Sequence, residues 1–344
     1  MTDLRTRIGV LEQSSLDIHW LAVLTLTILL FVMGNAPISA QIVPGTGTKV
    51  DTSGDNFEDE KWEFVHNFPK SSKEQDETLR YPRGYSKNQR WFESPKRGQP
   101  DEILRVPAPA GGLEGSEWAL SLRTKQSGIP GRLSHEMMQD DLIMNGRTMP
   151  VSWQPSCVVR VYVPPFQEWE QRNGSSFGIR ADCHTTIVDH EAKGGRGLFG
   201  KIKGFGSSMK QEAYWPGFFI ALAKKDAKNP ADRAQIIIRG DSLGHEVAGP
   251  VIKNPGWWTF GMSFTADGRI HFYASEGVDN LTAADLITSQ TPYGYRCESF
   301  TTMFFNVCNM DDGRTMSTRW IIDDPAIYYV GNGGMAYGSS ATRR

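Results

Sequence analysis

The chain has 344 residues, with 37 lysines and arginines against 39 aspartates and glutamates and a formal net charge of -2. That balance argues against a polybasic nucleic-acid binder and against a surface held to anionic lipid by charge alone. Hydrophobic residues at 39%, together with 35 glycines, approach the usual globular share, so the chain can bury a core.

Residues 1–40 read as an export signal. Arg5 and Arg7 precede an uncharged run from Trp20 to Met33, and the small, turn-forming stretch Gly34 to Ala40 follows. This order of basic, apolar and small-residue regions suits a signal peptidase, and the run is shorter than the ~20 apolar residues of a membrane span. Cleavage after Ala40 is expected. It would leave a secreted, periplasmic or cell-envelope protein without a stable membrane span. Residues 41–54 are expected to be a flexible lead-in and the Gly/Ser-rich residues 331–344 a flexible tail, with one domain over 55–330.

Within that domain no long amphipathic helical pattern occurs. Short β-branched and aromatic runs recur instead, punctuated by Gly, Pro, Asn and Asp. They predict strands at Ala119–Thr124, Cys157–Val163, Ser176–Cys183, Gly217–Ala223, Ala234–Arg239, Trp257–Thr265, Arg269–Ala274, Thr301–Cys308 and Trp320–Val330. The fold class expected is all-β, an antiparallel β-sandwich (jelly roll) with long loop insertions. The insertions are 66–105, whose Tyr81, Tyr85, Trp91 and Phe92 need a place to pack, and the Gly-rich 193–209. Cys157, Cys183, Cys297 and Cys308 could pair in three ways after export or remain buried thiols, and their spacing does not suit zinc.

Period-2 alternation sorts each strand into two faces. It leaves Arg160 and Tyr162, Arg180 and His184, Arg239, His271 and Tyr273, and Asn306 on polar faces. If these faces belong to one sheet, the residues line a shared outer surface. Such a set suits an acidic glycan: Arg recognises carboxylate or sulfate in a planar, bidentate way, and aromatic rings stack on sugars. The same types could serve β-elimination on a uronate polymer, with Arg180 or Asn306 neutralising the carboxylate and His271 and Tyr273 moving protons. A plain solvated face of an antiparallel sheet is the other reading. Hydrolysis needs two placed carboxylates, and Glu168 and Glu170, after Pro164-Pro165, read as surface acids. Asp182, His184, Asp189, His190 and Glu191 read as a surface turn rather than a metal site.

Four sequence stretches carry a family resemblance. They are Asp55-Asn56-Phe57-Glu58-Asp59-Glu60-Lys61-Trp62 with Gly115-Ser116-Glu117-Trp118-Ala119-Leu120, Trp258-Thr259-Phe260 through Phe264, and Trp320-Ile321-Ile322-Asp323-Asp324-Pro325-Ala326-Ile327. Their order resembles jelly-roll carbohydrate-binding modules of the CBM4/9/22-like kind, and more widely the concanavalin A-like and laminin-G-like sandwiches. The resemblance implies polysaccharide as partner and a structural calcium held by a first-strand and a last-strand acid, here Glu58 and Asp324. The function expected is an exported carbohydrate-binding protein. A polysaccharide lyase and a structural or adhesive surface protein are the alternatives.

Overall fold

The computed structural model describes residues 42–189 and 208–331. The export-signal reading, His190, Glu191, most of 193–209 and all but the first residue of the tail lie outside them. The described strands, in chain order, are β1 (Thr48–Lys49), β2 (Phe64–Val65), β3 (Tyr85–Ser86), β4 (Trp91–Glu93), β5 (Glu102–Pro107), β6 (Trp118–Arg123), β7 (Met138–Met144), β8 (Met149–Pro150), β9 (Pro155–Val163), β10 (Gly174–Asp189), β11 (Ser208–Tyr214), β12 (Gly217–Ala223), β13 (Arg233–Arg239), β14 (Glu246–Ile252), β15 (Gly256–Phe264), β16 (Ile270–Glu276), β17 (Leu286–Gln290), β18 (Ser299–Asn309) and β19 (Trp320–Tyr329). Each of the nine predicted strands falls on one of these.

They form two antiparallel sheets. Sheet A runs β17-β16-β15-β9-β19-β6-β5, with β1 also on β19. Sheet B runs β14-β13-β12-β10-β18-β7-β4-β3-β2, with β11 on β10 and β8 on β18. Alternation decides what lies between them. Cys157, Val159, Val161 and Val163 of β9 share one buried cluster with Phe177 and Ile179 of β10, Phe218 and Ile220 of β12, and Met303 and Phe305 of β18. Phe177 stacks on Trp320 with ring centroids 4.9 Å apart, and Trp169 meets Trp320 edge-on at 4.9 Å, so large rings bridge the sheets.

Two segments depart from expectation. The lead-in 42–54 is built into sheet A: Thr48 pairs with Tyr329, and the Val50 amide donates to the Ile327 carbonyl at 2.8 Å. The cause is an open edge, because β6 pairs with only Trp320 to Ile322 of β19 and leaves the rest of that edge for the lead-in. Segment 66–105 adds β3 and β4 to sheet B, and its Trp91 enters the core against Phe57 and Phe305. Tyr81 stays 73% exposed. The four cysteines are buried free thiols. Among the described residues no helix is long and apolar enough to cross a membrane.

Candidate functional site

The two sheets separate the residues that alternation grouped. Arg160, Tyr162, His271 and Tyr273 belong to β9 and β16 in sheet A, whereas Arg180, His184, Arg239 and Asn306 belong to β10, β13 and β18 in sheet B. Each group points away from the shared core, so the two lie on opposite outer surfaces. The expectation of one common surface is therefore corrected. So is the catalytic set His271, Tyr273, Arg180 and Asn306, whose members cannot meet one substrate group across the sandwich. Period 2 assigns a face of a strand but not the sheet to which the strand belongs.

On sheet A, Arg160, His271 and Tyr273 are covered and bonded, although Ser263 Oγ on the same face is buried without a partner. Arg160 is 4% exposed and donates to the Val278 carbonyl at 3.2 Å, Asn280 Oδ1 at 3.0 Å and Asp324 Oδ2 at 3.4 Å. His271 is held by Thr265 Oγ1 at 2.8 Å and Ser289 Oγ at 2.7 Å, and burial pushes its pKa down. Tyr273 is fully buried beneath Val43 and Leu281, and its hydroxyl donates to the Ile42 carbonyl at 3.3 Å. Gly261 supplies the seat for this cover, since a Cβ there would stand 2.6 Å from both Pro44 and Leu281. Tyr162 packs edge-on against Trp257 at 5.6 Å.

The calcium pairing is corrected too. Glu58 Oε1 accepts from the Glu117 amide at 3.0 Å, the Trp118 amide at 3.1 Å and Ser116 Oγ at 3.2 Å. Ser116 Oγ also lies 2.8 Å from Asp323 Oδ2, so the last-strand acid near Glu58 is Asp323. Asp324 leaves the strand face at a bulge, with a left-handed φ of 42°, and faces Lys49 at 3.3 Å and Arg160 at 3.4 Å. An acid already flanked by two cations does not fit a calcium ligand set, which needs six to eight oxygens. Among the described residues no three His, Cys, Asp or Glu side chains cluster to hold a metal. Asp324 also borders an open depression of about 620 Å³ with Asp51, Asp55 and Arg90. There Asp55 Oδ2 is occupied by the Trp62 and Trp91 indoles and the Asn88 amide.

Sheet B has a different outer face. β7, β10 and β18 lie side by side there, and segment 94–97 with Glu74 forms one wall of a cavity of about 240 Å³. Beside it on β10, Gly178 lets the Asn306 and Phe219 side chains close over the strand, since a Cβ there would stand 2.5 Å from Asn306 Oδ1 and 2.9 Å from Phe219. Asn306 is fully buried and donates from Nδ2 to Asp141 Oδ1 at 2.6 Å, while its own Oδ1 has no partner. Burial raises the pKa of Asp141, against the nearby Arg97 and the amides of Asn306 and Gln139.

Arg180 is the cation of this face. Both Nε and Nη2 donate to the Trp215 carbonyl, the former at 2.8 Å, and the guanidinium lies 5.6 Å from the Phe219 ring centre and 5.8 Å from that of Phe304. Among the described residues no carboxylate forms an ion pair with it. Burial, with Arg239 adding like-charge repulsion, pushes its pKa down to about 10. Trp215 is fixed by its indole N–H on Asp182 Oδ1 at 3.0 Å, and Lys96 Nζ sits 3.7 Å over its ring. Arg97 is engaged by Glu74 at 2.5 and 2.6 Å. His184 follows in step along β10, its Nδ1 buried without a partner, and Arg239 is exposed on β13.

Of the expected ligand residues, Arg180 lines the cavity, Asn306 is buried behind it on Asp141, and His184 and Arg239 share its sheet face. Asp141, Gln139, Lys96, Arg97 and Trp215 complete it and were not singled out from sequence. The carboxylate pair at Asp140-Asp141 ahead of Leu142-Ile143-Met144 was a usable signal, because adjacent strand residues must face opposite sides. Glu170, expected on the surface, is 7% exposed and tied to Arg172 at 2.9 Å and the Met310 amide at 2.9 Å.

No protein-family model and no curated protein matches the chain. Solved structures similar to it include an alginate lyase from Pseudomonas aeruginosa, at 10% identity over 67% of this chain and 87% of that one with a TM-score of 0.35. Others are the carbohydrate recognition domain of Emp47p, at 8% identity over 67% and 90% with a TM-score of 0.31, and the exoplasmic/lumenal domain of VIP36 in its Ca2+/Man3GlcNAc-bound form, at 8% over 72% and 86% with 0.30. On the pairing of its own two antiparallel sheets, the chain is an all-β sandwich.

Proposed function

We propose that the outer face of sheet B binds an acidic polysaccharide, outside the cell if residues 1–40 direct export. The observation that carries this is Arg180, a half-buried guanidinium with no carboxylate paired to it among the described residues. Asp141 acts on it through charge without forming an ion pair, and an incoming carboxylate or sulfate adds the charge-assisted hydrogen bonds that this largely desolvated cation lacks. Lys96 adds positive charge at the wall. Gln139 and Thr302 add polar side chains to the lining, and Trp215 adds an aromatic edge to it. Flat, open troughs of this kind suit a chain polymer better than a small enclosed ligand.

Titration of the protein with uronate and sulfated polysaccharides, beside a neutral glucan, tests this. Saturable binding to the acidic polymers that weakens with added salt is expected, since screening acts on charge recognition. Binding to none of them overturns the proposal and leaves a structural or adhesive role. Unsaturated product absorbing near about 235 nm would replace simple binding with elimination chemistry.

A further inference from the structure

Away from that trough, the end of the sandwich contains a buried Lys-Asp-Asp triad. Lys70 is 4% exposed, and its Nζ lies 2.5 Å from Asp140 Oδ2, 2.9 Å from Asp101 Oδ1 and 3.1 Å from the Gln99 carbonyl. Asp140 is fully buried; β7 aims it between the sheets, alongside Leu142 and Met144. The stem of Lys70 lies across Gly98, where a Cβ would stand 2.7 Å from Lys70 Cδ. Amine and carboxyl are thus held together by packing on both sides.

The protons point to a neutral carboxyl. Thr124 Oγ1 is in contact with Asp140 Oδ2 and lies 3.0 Å from Asp101 Oδ2. A hydroxyl owns one hydrogen, so one of the two carboxyls must bring its own. Asp101 already accepts from the Lys125 amide at 2.7 Å and the Gln126 amide at 2.9 Å, and its pKa is lowered; burial works against this, but Lys70 and these amides prevail. Asp140 has no backbone donor, its Oδ1 lacks a partner, and burial pushes its pKa up to about 8. The proton therefore belongs to Asp140.

We propose that Lys70 and Asp140 become joined by an intramolecular isopeptide bond, with Asp101 as the base. Burial works against the Lys70 ammonium, but the two aspartates hold it and raise its pKa, so the step that frees the amine is uphill: one proton passes to Asp101 Oδ1. The freed amine attacks Asp140 Cγ, the Nζ–Cγ bond forms, and the Cγ–Oδ2 bond breaks. The departing hydroxyl takes a second proton from nitrogen and leaves as water, so atoms and charge balance with no oxidant or cofactor. A buried ion pair stabilises little, because desolvation offsets attraction, whereas a covalent tie from β7 to segment 66–105 closes a loop in the unfolded chain as well.

Mass spectrometry of the denatured full chain decides this. We expect a deficit of one water, about 18 Da, and a branched tryptic peptide linking Lys70 to Asp140 with no cleavage after Lys70. The branched peptide in any measurable fraction supports the bond. Recovery of only the linear peptide of residues 62–70 from wild-type protein overturns it, whatever the variants do. Lys70→Arg and Asp101→Asn should each restore the full mass. Asp101→Asn keeps both joined residues, so it separates loss of the base from loss of a reactant.

Discussion

The outer faces of the two sheets carry similar polar side chains and differ in whether those side chains are already satisfied. On sheet A, Arg160, His271 and Tyr273 are bonded to Val278, Asn280, Ser289 and Ile42 beneath a lid of lead-in and loop. On sheet B, among the described residues, Arg180 has no carboxylate ion pair and lines a cavity that no segment fills. Residue type alone does not separate a structural face from a binding face. Whether the charged groups are already paired and covered does, because buried polar groups in folded proteins are ordinarily paired.

The largest expected effect is on the covered face. Tyr273→Ala empties a fully buried position and should lower folding stability by about 3–5 kcal/mol in denaturant titration, with polysaccharide affinity unchanged in the folded fraction. A large affinity loss would mean that sheet A does bind ligand. Next comes Arg180→Ala. Loss of a charge-assisted contact of about 1.5–3 kcal/mol should weaken binding of an acidic polymer about 10- to 100-fold by calorimetry, and binding of a neutral glucan little. Equal losses for both polymers would break the contrast.

The smallest effect concerns pH. Burial, opposed by the Ser116 hydroxyl and reinforced by Asp324 and Glu58, pushes the Asp323 carboxyl up to about 6. The folded chain then binds a proton that the unfolded chain has released between about pH 4 and 6, so stability falls as pH rises through that window. Asp323→Asn should remove a slope of about 1–2 kcal/mol from melting curves taken across it. An unchanged slope would show that sheet A does not hold this charge as described.

Much of the sandwich was legible because its central strands alternate strictly. In β12 and β13 Phe218, Ile220, Ile236 and Ile238 all face the core, as their spacing predicts. β7 was missed because Met138-Gln139-Asp140-Asp141-Leu142-Ile143-Met144 places an acid on each face, and an inward Asp breaks the apolar pattern. The short β1 to β4 carry too few residues for any period to register. Part of the trough was legible as well: alternation found Arg180 and Asn306. It could not find Lys96, Glu74 or Trp215, which arrive from segments far away in sequence, nor could it show that Asp324 turns aside at a bulge before Pro325.

Gly178 bears on how this face could change over evolution. The place a Cβ would take there is already filled by Asn306 Oδ1 and the Phe219 ring, so any larger residue must push those two side chains aside. The cavity itself is lined by other positions, with Glu74 and segment 94–97 arriving from far away in sequence. Strand packing and rim composition are accordingly separable here: the first is constrained at a single backbone position, and the second is decided by side chains that neighbouring segments bring to the edge.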